Sequence, residues 1–196
     1  MYHSKKLIIF DLDGVLFDSK KNMESAWKEV KKKHGIKANF KNYFLYIGLP
    51  FKKILSNLGI KKDFELISQT YKKESIKNIK KVKLQPNVKK VLLDLKKRYK
   101  FAIVTSKDKT RTKILLKRFK LNFKIVISPS KNLKGKPYPD QILKALKLSK
   151  TRIKKKAVYV GDTKVDYKTA KNAQIYYINA NYGYGRKDFT CKHKIK

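Results

Sequence analysis

The 196-residue chain is poor in cysteine and has no long apolar run. Its single cysteine, Cys191, excludes an internal disulfide framework and favours a reducing compartment. The longest apolar stretches, such as residues 7–10 and 101–104, are the size of strands and too short to span a membrane. No secretory hydrophobic segment follows Lys5 and Lys6, so the sequence predicts a cytoplasmic protein without membrane association.

Acidic residues and arginines are also scarce. Fourteen acidic residues face 52 basic ones, which gives a formal net charge of +38. Such a charge could attract nucleic acid, but only five of the basic residues are arginine, the side chain that makes bidentate contacts with bases and phosphates. The lysines are spread over every segment of the chain. We therefore expect a solvated lysine-rich surface and regard nucleic-acid binding as the less favoured alternative.

The hydrophobic residues, 41% of the chain with 10 Phe and 12 Tyr, can supply the core of one domain with a small insert. A buried strand is predicted at residues 5–10. From residue 101 onward, strands predicted at 101–104, 123–127, 157–160 and 175–178 alternate with helices predicted at 111–119, 139–148 and 163–173. This alternation predicts an α/β fold: a Rossmann-like parallel sheet covered by helices on both faces.

The stretch between the first strand and residue 85 does not alternate. It predicts helices only, the first with Ser19 as its N-cap and Gly35 as its stop, and two more at residues 51–58 and 63–79. A further helix, opened by Pro86, belongs to the α/β part. We therefore expect a core made of residues 1–17 and 84–196 and a small all-helical insert at residues 18–83.

The first chemical motif is Asp11-Leu12-Asp13-Gly14, directly after the first strand. Two carboxylates at positions i and i+2 of extended backbone point the same way, past the carboxyl end of the strand, where open α/β sheets bind ligands. Two acids placed there repel each other unless a cation or a shared proton compensates. The motif therefore predicts a ligand-binding site at which a cation or a shared proton compensates the two carboxylates.

Three further motifs follow later strands. Thr105 and Ser106 end the strand that begins at residue 101, and Lys136 lies in a loop that also holds two prolines. Asp162 and Asp166 lie four residues apart in a strand-to-helix turn, so that both can face one cation.

In this order and at these strand ends, the four motifs resemble the haloacid dehalogenase superfamily. The resemblance implies that Asp11 is a nucleophile that forms an aspartyl-phosphate and that Asp13 is the general acid and base. It implies that Thr105 and Lys136 bind and neutralise the transferring phosphoryl group.

The same resemblance implies a Mg²⁺ cofactor. In this superfamily the ion is held by the first carboxylate, the backbone carbonyl two residues on and the acids of the last motif. These positions correspond to Asp11, Asp13, Asp162 and Asp166.

The helical insert resembles the small cap of the phosphoglycolate-phosphatase branch, and Ile47-Gly48-Leu49-Pro50 is similar to its cap loop. Gly48 and Leu49 are therefore expected to contact substrate, together with Ser106, which stands where many relatives have Asn. The implied function is Mg²⁺-dependent hydrolysis of a small phosphomonoester such as 2-phosphoglycolate. Pyrophosphate or nucleoside monophosphate hydrolysis at the same site is an alternative, and either a monomer or a homodimer is compatible with the sequence.

Overall fold

A six-stranded parallel sheet forms the centre of the protein. The computed structural model describes residues 6–185 and 194–195, so that Cys191 and Lys5 lie outside the described residues. Across the sheet the strands follow the order β5 (Ile125–Ile127), β4 (Lys100–Val104), β1 (Leu7–Phe10), β6 (Ala157–Gly161), β7 (Tyr176–Ala180) and β8 (Lys194–Ile195). Strand β1 lies between β4 and β6, which places the three motif-bearing strand ends side by side.

Helices cover both faces of this sheet, and both faces are apolar. Successive residues of β1 point to opposite sides, with Leu7 and Ile9 in one buried cluster and Ile8 and Phe10 in another. The first cluster is completed by α7 (Asp140–Leu148) and α8 (Lys164–Ala173), and the second by α5 (Val88–Leu95) and α6 (Lys109–Arg118). The predicted α/β fold with a covered parallel sheet is therefore confirmed.

The segment after β1 is helical, as expected from its sequence. Between β2 (Phe17–Asp18) and β3 (Lys83–Leu84) lie α1 (Lys20–His34), α2 (Phe40–Phe44), α3 (Phe51–Asn57) and α4 (Phe64–Lys77). These helices share a hydrophobic cluster of their own, in which Trp27 stacks on Tyr43 with ring centroids 4.6 Å apart. We call helices α1–α4 and their loops the cap. Its limits at residues 18–83 stay a prediction.

Several local features differ from the sequence expectations. The short helix α2, the antiparallel pairing of β2 with β3 and the strand β8 are not predicted. Helix α6 begins two residues earlier than expected because the side chain of Asp108 accepts a hydrogen bond from the backbone of Arg111 and caps it. Ser19 precedes α1 as predicted, but its hydroxyl makes no capping bond, because it donates to Asp13 instead. No helix in the described part of the chain is long and apolar enough to cross a membrane.

Candidate active site

The predicted acidic residues converge where β1 and β6 end. Asp11 follows β1, Asp162 follows β6, and Asp166 lies in the first turn of α8. All three side chains are buried, and one carboxylate oxygen of each lies within 4.8 Å of the others. The sheet topology thus brings together acids separated by 150 residues of sequence.

Lys136 lies inside this acidic cluster. Its Nζ atom is 2.7 Å from Asp11 Oδ1 and 2.6 Å from Asp166 Oδ1, and the side chain is fully shielded from solvent. Burial disfavours its charge, but Asp11 and Asp166 outweigh that effect and raise the pKa of the Lys136 ammonium above its ordinary value. Lys136 is therefore a permanent positive charge beside Asp11.

The surroundings shift the pKa values of the three acids in different directions. Burial raises the pKa of Asp11 from 3.8 to about 7, against the attraction of Lys136, and it raises the pKa of Asp162 well above its ordinary value. At Asp166 burial acts in the same direction, but the charge and hydrogen bonds of Lys136 and Thr163 prevail and lower the pKa of that carboxyl. Asp166 is thus held as an anion, whereas burial outweighs the favourable contacts of Asp11 and Asp162 and disfavours their charge.

Asp166 owes its ionised state to a fixed set of donors. Thr163 N and Oγ1 both donate to Asp166 Oδ2, and the Tyr159 hydroxyl lies 2.9 Å from Oδ1. The same hydroxyl lies 3.0 Å from the carbonyl oxygen of Val104, so that Tyr159 links the ends of β4 and β6. Nothing in the sequence pattern distinguishes Tyr159 from an ordinary core residue of a buried strand.

Asp162 is held on one oxygen only. Its Oδ2 accepts a hydrogen bond of 2.6 Å from the backbone of Tyr184, whereas Oδ1 is buried and has no partner among the described residues. Gly14, at φ +85°, turns the chain directly over this carboxylate, and a Cβ there would lie 2.1 Å from Asp162 Oδ2. The glycine of the first motif is required both by its backbone conformation and by this close approach.

Asp13 has different partners from Asp11. Its Oδ1 accepts a hydrogen bond of 2.5 Å from Ser19 Oγ, and its Oδ2 pairs with Lys107 Nζ at 3.0 Å. Its carboxylate is not in the cluster formed by Asp11, Asp162 and Asp166, so that only its backbone could join them. Lys107 directly follows two predicted site residues, Thr105 and Ser106, and that position is the signal that could have identified it.

The cap closes over these groups and leaves a small cavity. Its volume is about 50 Å³, and the predicted residues that line it are Asp11, Asp13, Gly48, Leu49, Thr105, Ser106 and Lys136. Ser106 Oγ donates a hydrogen bond of 2.7 Å to the carbonyl oxygen of Gly48, which ties the core to the cap loop. Asp162 and Asp166 do not line the cavity and lie behind it.

The other residues that line the cavity were not predicted as site residues from the sequence. Four of them are Met23, Tyr43 and Tyr71 of the cap and Arg111 of α6. Arg111 is one of the few arginines and lies four residues after Lys107 in the sequence. Its hydrogen bond to Ser75 of the cap, however, joins residues that are 36 positions apart. No local pattern could have revealed them.

Comparison with known proteins agrees with this geometry. The family model of haloacid dehalogenase-like hydrolases matches residues 8–180. A protein of Caldanaerobacter subterraneus subsp. tengcongensis, provisionally named pyrophosphatase PpaX, is 32% identical over 86% of this chain and 78% of its own length. A phosphoglycolate phosphatase of Aquifex aeolicus is 29% identical over 91% of this chain and 86% of its own.

Among solved structures, a haloacid dehalogenase-like hydrolase of Bacteroides fragilis superposes with a TM-score of 0.88 at 23% identity, over 97% of this chain and 96% of that one. At this identity the likeness supports the fold alone. The family match, which spans most of the chain, decides the class. The chain belongs to the haloacid dehalogenase-like hydrolases, and the resemblance recognised from its four motifs is confirmed.

Proposed function

We propose that this protein is a Mg²⁺-dependent phosphatase that hydrolyses a small phosphomonoester through an aspartyl-phosphate on Asp11. The coarser statement, that it is a phosphoric monoester hydrolase of the haloacid dehalogenase type, follows from its family. The observation that carries the finer one is the buried cluster of Asp11, Asp162 and Asp166 around Lys136 at the carboxyl ends of the central strands.

The first half-reaction is an attack by Asp11. Its Oδ1 is occupied by Lys136, whereas no described residue donates a hydrogen bond to Oδ2, which leaves that oxygen for the substrate phosphorus. A bond forms between Oδ2 and phosphorus while the bond from phosphorus to the leaving oxygen breaks. Thr105 and Lys136 lie beside Asp11 in the cavity lining, where they can bind the phosphoryl oxygens as charge builds on them.

Asp13 carries the protons in both half-reactions. It donates a proton to the leaving oxygen and then, as a carboxylate, takes one from the water that attacks phosphorus and releases phosphate from Asp11. The two donors that contact it, Ser19 Oγ and Lys107 Nζ, hold the carboxylate in place between these steps. Replacing Asp13 with Asn removes the proton transfer from each half-reaction, and each loss should lower the rate of that half-reaction by roughly 10²–10⁴-fold.

The acidic cluster fits a divalent cation. Three carboxylates and one ammonium leave two negative charges uncompensated, and the unpartnered Asp162 Oδ1 is a buried acceptor that lacks a donor among the described residues. All the side-chain ligands on offer are oxygens, the donors that Mg²⁺ prefers. Asp11, Asp162 and Asp166, with the backbone carbonyl of Asp13, would hold the ion. When bound, it neutralises charge on the phosphoryl group.

The size of the cavity favours a small leaving group. Its volume of about 50 Å³ is far below the roughly 300–1,000 Å³ of pockets that enclose drug-sized ligands. This supports 2-phosphoglycolate as the substrate class over a nucleoside monophosphate. Pyrophosphate is equally small, and the provisional name of the Caldanaerobacter relative favours it as the second candidate.

Phosphate release from 2-phosphoglycolate, pyrophosphate and a nucleoside monophosphate tests the proposal. We expect hydrolysis of at least one of the two small substrates with Mg²⁺, none in excess EDTA, and recovery when Mg²⁺ is restored. Asp11→Asn should abolish turnover, whereas Asp94→Asn, on the exposed side of α5, should not. Full activity in EDTA, or near-native kcat for Asp11→Asn, would exclude the mechanism.

A further inference from the structure

The cap side of the cavity concentrates buried cations and hydrogen-bond donors. Lys107, Arg111, Tyr43 and Tyr71 line it together, and all four are at least nine-tenths buried. Lysine and arginine side chains can only donate hydrogen bonds. A buried donor without an acceptor costs about 1–3 kcal/mol, so any hydrogen of this cluster that its neighbours do not satisfy favours a ligand with an acceptor.

The hydroxyls of Tyr43 and Tyr71 have one hydrogen more than they have acceptors. Their oxygens are 3.0 Å apart, so one hydroxyl donates to the other. The hydrogen of the other hydroxyl has no acceptor among the described residues. The neighbouring Arg111 guanidinium lies 5.0 Å from the centre of the Tyr71 ring, but a guanidinium has no hydrogen-bond acceptor. Burial raises the pKa of both hydroxyls, so both keep their protons at neutral pH. One hydroxyl hydrogen is therefore left for a ligand.

The two cations are held rigidly and close to the phosphoryl site. Lys107 follows Thr105 by two residues, and its Nζ contacts Asp13. Arg111 is anchored by Asp108 on its own helix and donates from Nη1 to Ser75 Oγ in the cap, 3.3 Å away. Asp108 is the one carboxylate paired with Arg111 among the described residues, and its side chain is 34% exposed. Solvent screens that pairing in part, whereas the Arg111 side chain itself is buried.

We propose that Lys107, Arg111 and the Tyr43–Tyr71 hydroxyl pair form a second anion subsite, which binds a carboxylate or phosphoryl group on the leaving group of the substrate. This inference rests on the proposed function and deepens it: the substrate is a phosphate compound with a second anionic group within a short spacer of the scissile bond. The anion supplies the missing acceptor and the counter-charge for Arg111. A neutral leaving group would leave the spare hydroxyl hydrogen unpaired and would give Lys107 and Arg111 no further acceptor, which is how such sites reject an analogue that lacks the bonded group.

Matched substrate pairs test the subsite. We would measure kcat/KM for 2-phosphoglycolate against ethyl phosphate, which has a similar length without the carboxylate, and for pyrophosphate against methyl phosphate. We expect a preference of at least about tenfold for the charged member of one pair, and which pair shows it tells a carboxylate from a phosphoryl group. Binding of phosphonoacetate against ethylphosphonate, measured by calorimetry with Mg²⁺, gives the same comparison without turnover.

Variants then assign the preference to residues. Arg111→Met should lower the charged-to-neutral ratio roughly 10–100-fold, chiefly through KM, and Arg111→Lys should restore part of it. Arg118→Met, on the exposed face of the same helix, should leave the ratio unchanged. Tyr71→Phe keeps the ring and removes only the hydroxyl, and it should lower the ratio about twofold to tenfold even if Arg111→Met fails to fold.

The outcomes separate this inference from the proposed function. If the protein hydrolyses charged and neutral esters with equal kcat/KM, it is a phosphatase and the subsite is wrong. The subsite is also wrong if Arg111→Met and Tyr71→Phe both keep the wild-type ratio. If no phosphate compound is hydrolysed but phosphonoacetate still binds better than ethylphosphonate, the proposed function fails while the subsite stands.

Discussion

The acidic cluster predicts that replacing the buried carboxyl of Asp11 stabilises the metal-free protein. Asp11 is buried, and its pKa is raised from 3.8 to about 7. Each pKa unit corresponds to about 1.36 kcal/mol, so keeping this carboxyl ionised in the folded state costs at most about 4 kcal/mol above pH 7. Asn has nearly the same shape, carries no charge, and still offers Lys136 an oxygen acceptor. Asp11→Asn should therefore recover about 2–4 kcal/mol.

The pH dependence of this gain has a definite sign. Between pH 4 and 7 the folded wild-type protein holds a proton on Asp11 that the unfolded chain has lost, so its stability falls as pH rises. The stability of Asp11→Asn does not fall in this way as pH rises, because Asn does not titrate. The difference in unfolding free energy should be near zero at pH 4, grow up to pH 7 and then level off.

Urea unfolding in EDTA at pH 5, 6, 7 and 8 measures this difference. For a chain of this size the gain corresponds to a rise in Tm of roughly 4–16 °C at pH 8, measured by thermal unfolding. Asp94→Asn, which changes an exposed carboxyl on α5, should show no such trend. A variant that is less stable than wild type at pH 8, or a gain independent of pH, would refute the reasoning. Saturating Mg²⁺ should reduce the difference, because the wild type, with one more carboxylate ligand, gains more binding energy than the variant.

Three further predictions follow from contacts in the site. Gly14→Ala should cost at least about 2 kcal/mol in urea unfolding and weaken Mg²⁺ binding, because its Cβ would lie 2.1 Å from Asp162 Oδ2. Tyr159→Phe should weaken the activating Mg²⁺ affinity roughly tenfold in a metal titration, since Asp166 loses a donor, whereas the exposed Tyr138→Phe should not. Ser106→Ala should raise KM by roughly fivefold with little change in kcat, since one neutral bond to the carbonyl of Gly48 is lost on cap closure, and equal KM values would contradict it.

The strand-end motifs could be located from the sequence because the relevant physics is local. An apolar run followed by acids or hydroxyls identifies the end of a buried strand. The parallel topology then brings such ends together, as it does for Asp11, Thr105 and Asp162. Lys136 was singled out by its setting and lies between two of the predicted acids. Whether these residues perform the predicted steps remains for the kinetic tests.

The contacts between cap and core could not be located in this way. Ser19 was expected to cap a helix, and its donation to Asp13 depends on where the paired strands β2 and β3 place α1. Tyr184 reaches Asp162 through its backbone amide, a donor that every residue but proline possesses. Contacts with Ser75 and Tyr71 give Arg111 its orientation, and both depend on packing between elements distant in sequence. Tertiary packing, not local pattern, decides these positions.

The acids of the site contrast with the basic composition of the rest of the chain. Four of its 14 acidic residues, Asp11, Asp13, Asp162 and Asp166, occupy the site. The lysine-rich surface draws anions from a distance, but the ionised cluster would by itself repel a phosphate at contact. Lys136 and Lys107 offset part of that repulsion, and a divalent cation would offset the remainder behind the nucleophile. On the proposed mechanism, with the cation in place, Lys107 and Arg111 on the cap side of the cavity would recognise the far end of the substrate. The acids would then act on the reacting phosphate, whereas the two cations that face the cap would select the group to which it is attached.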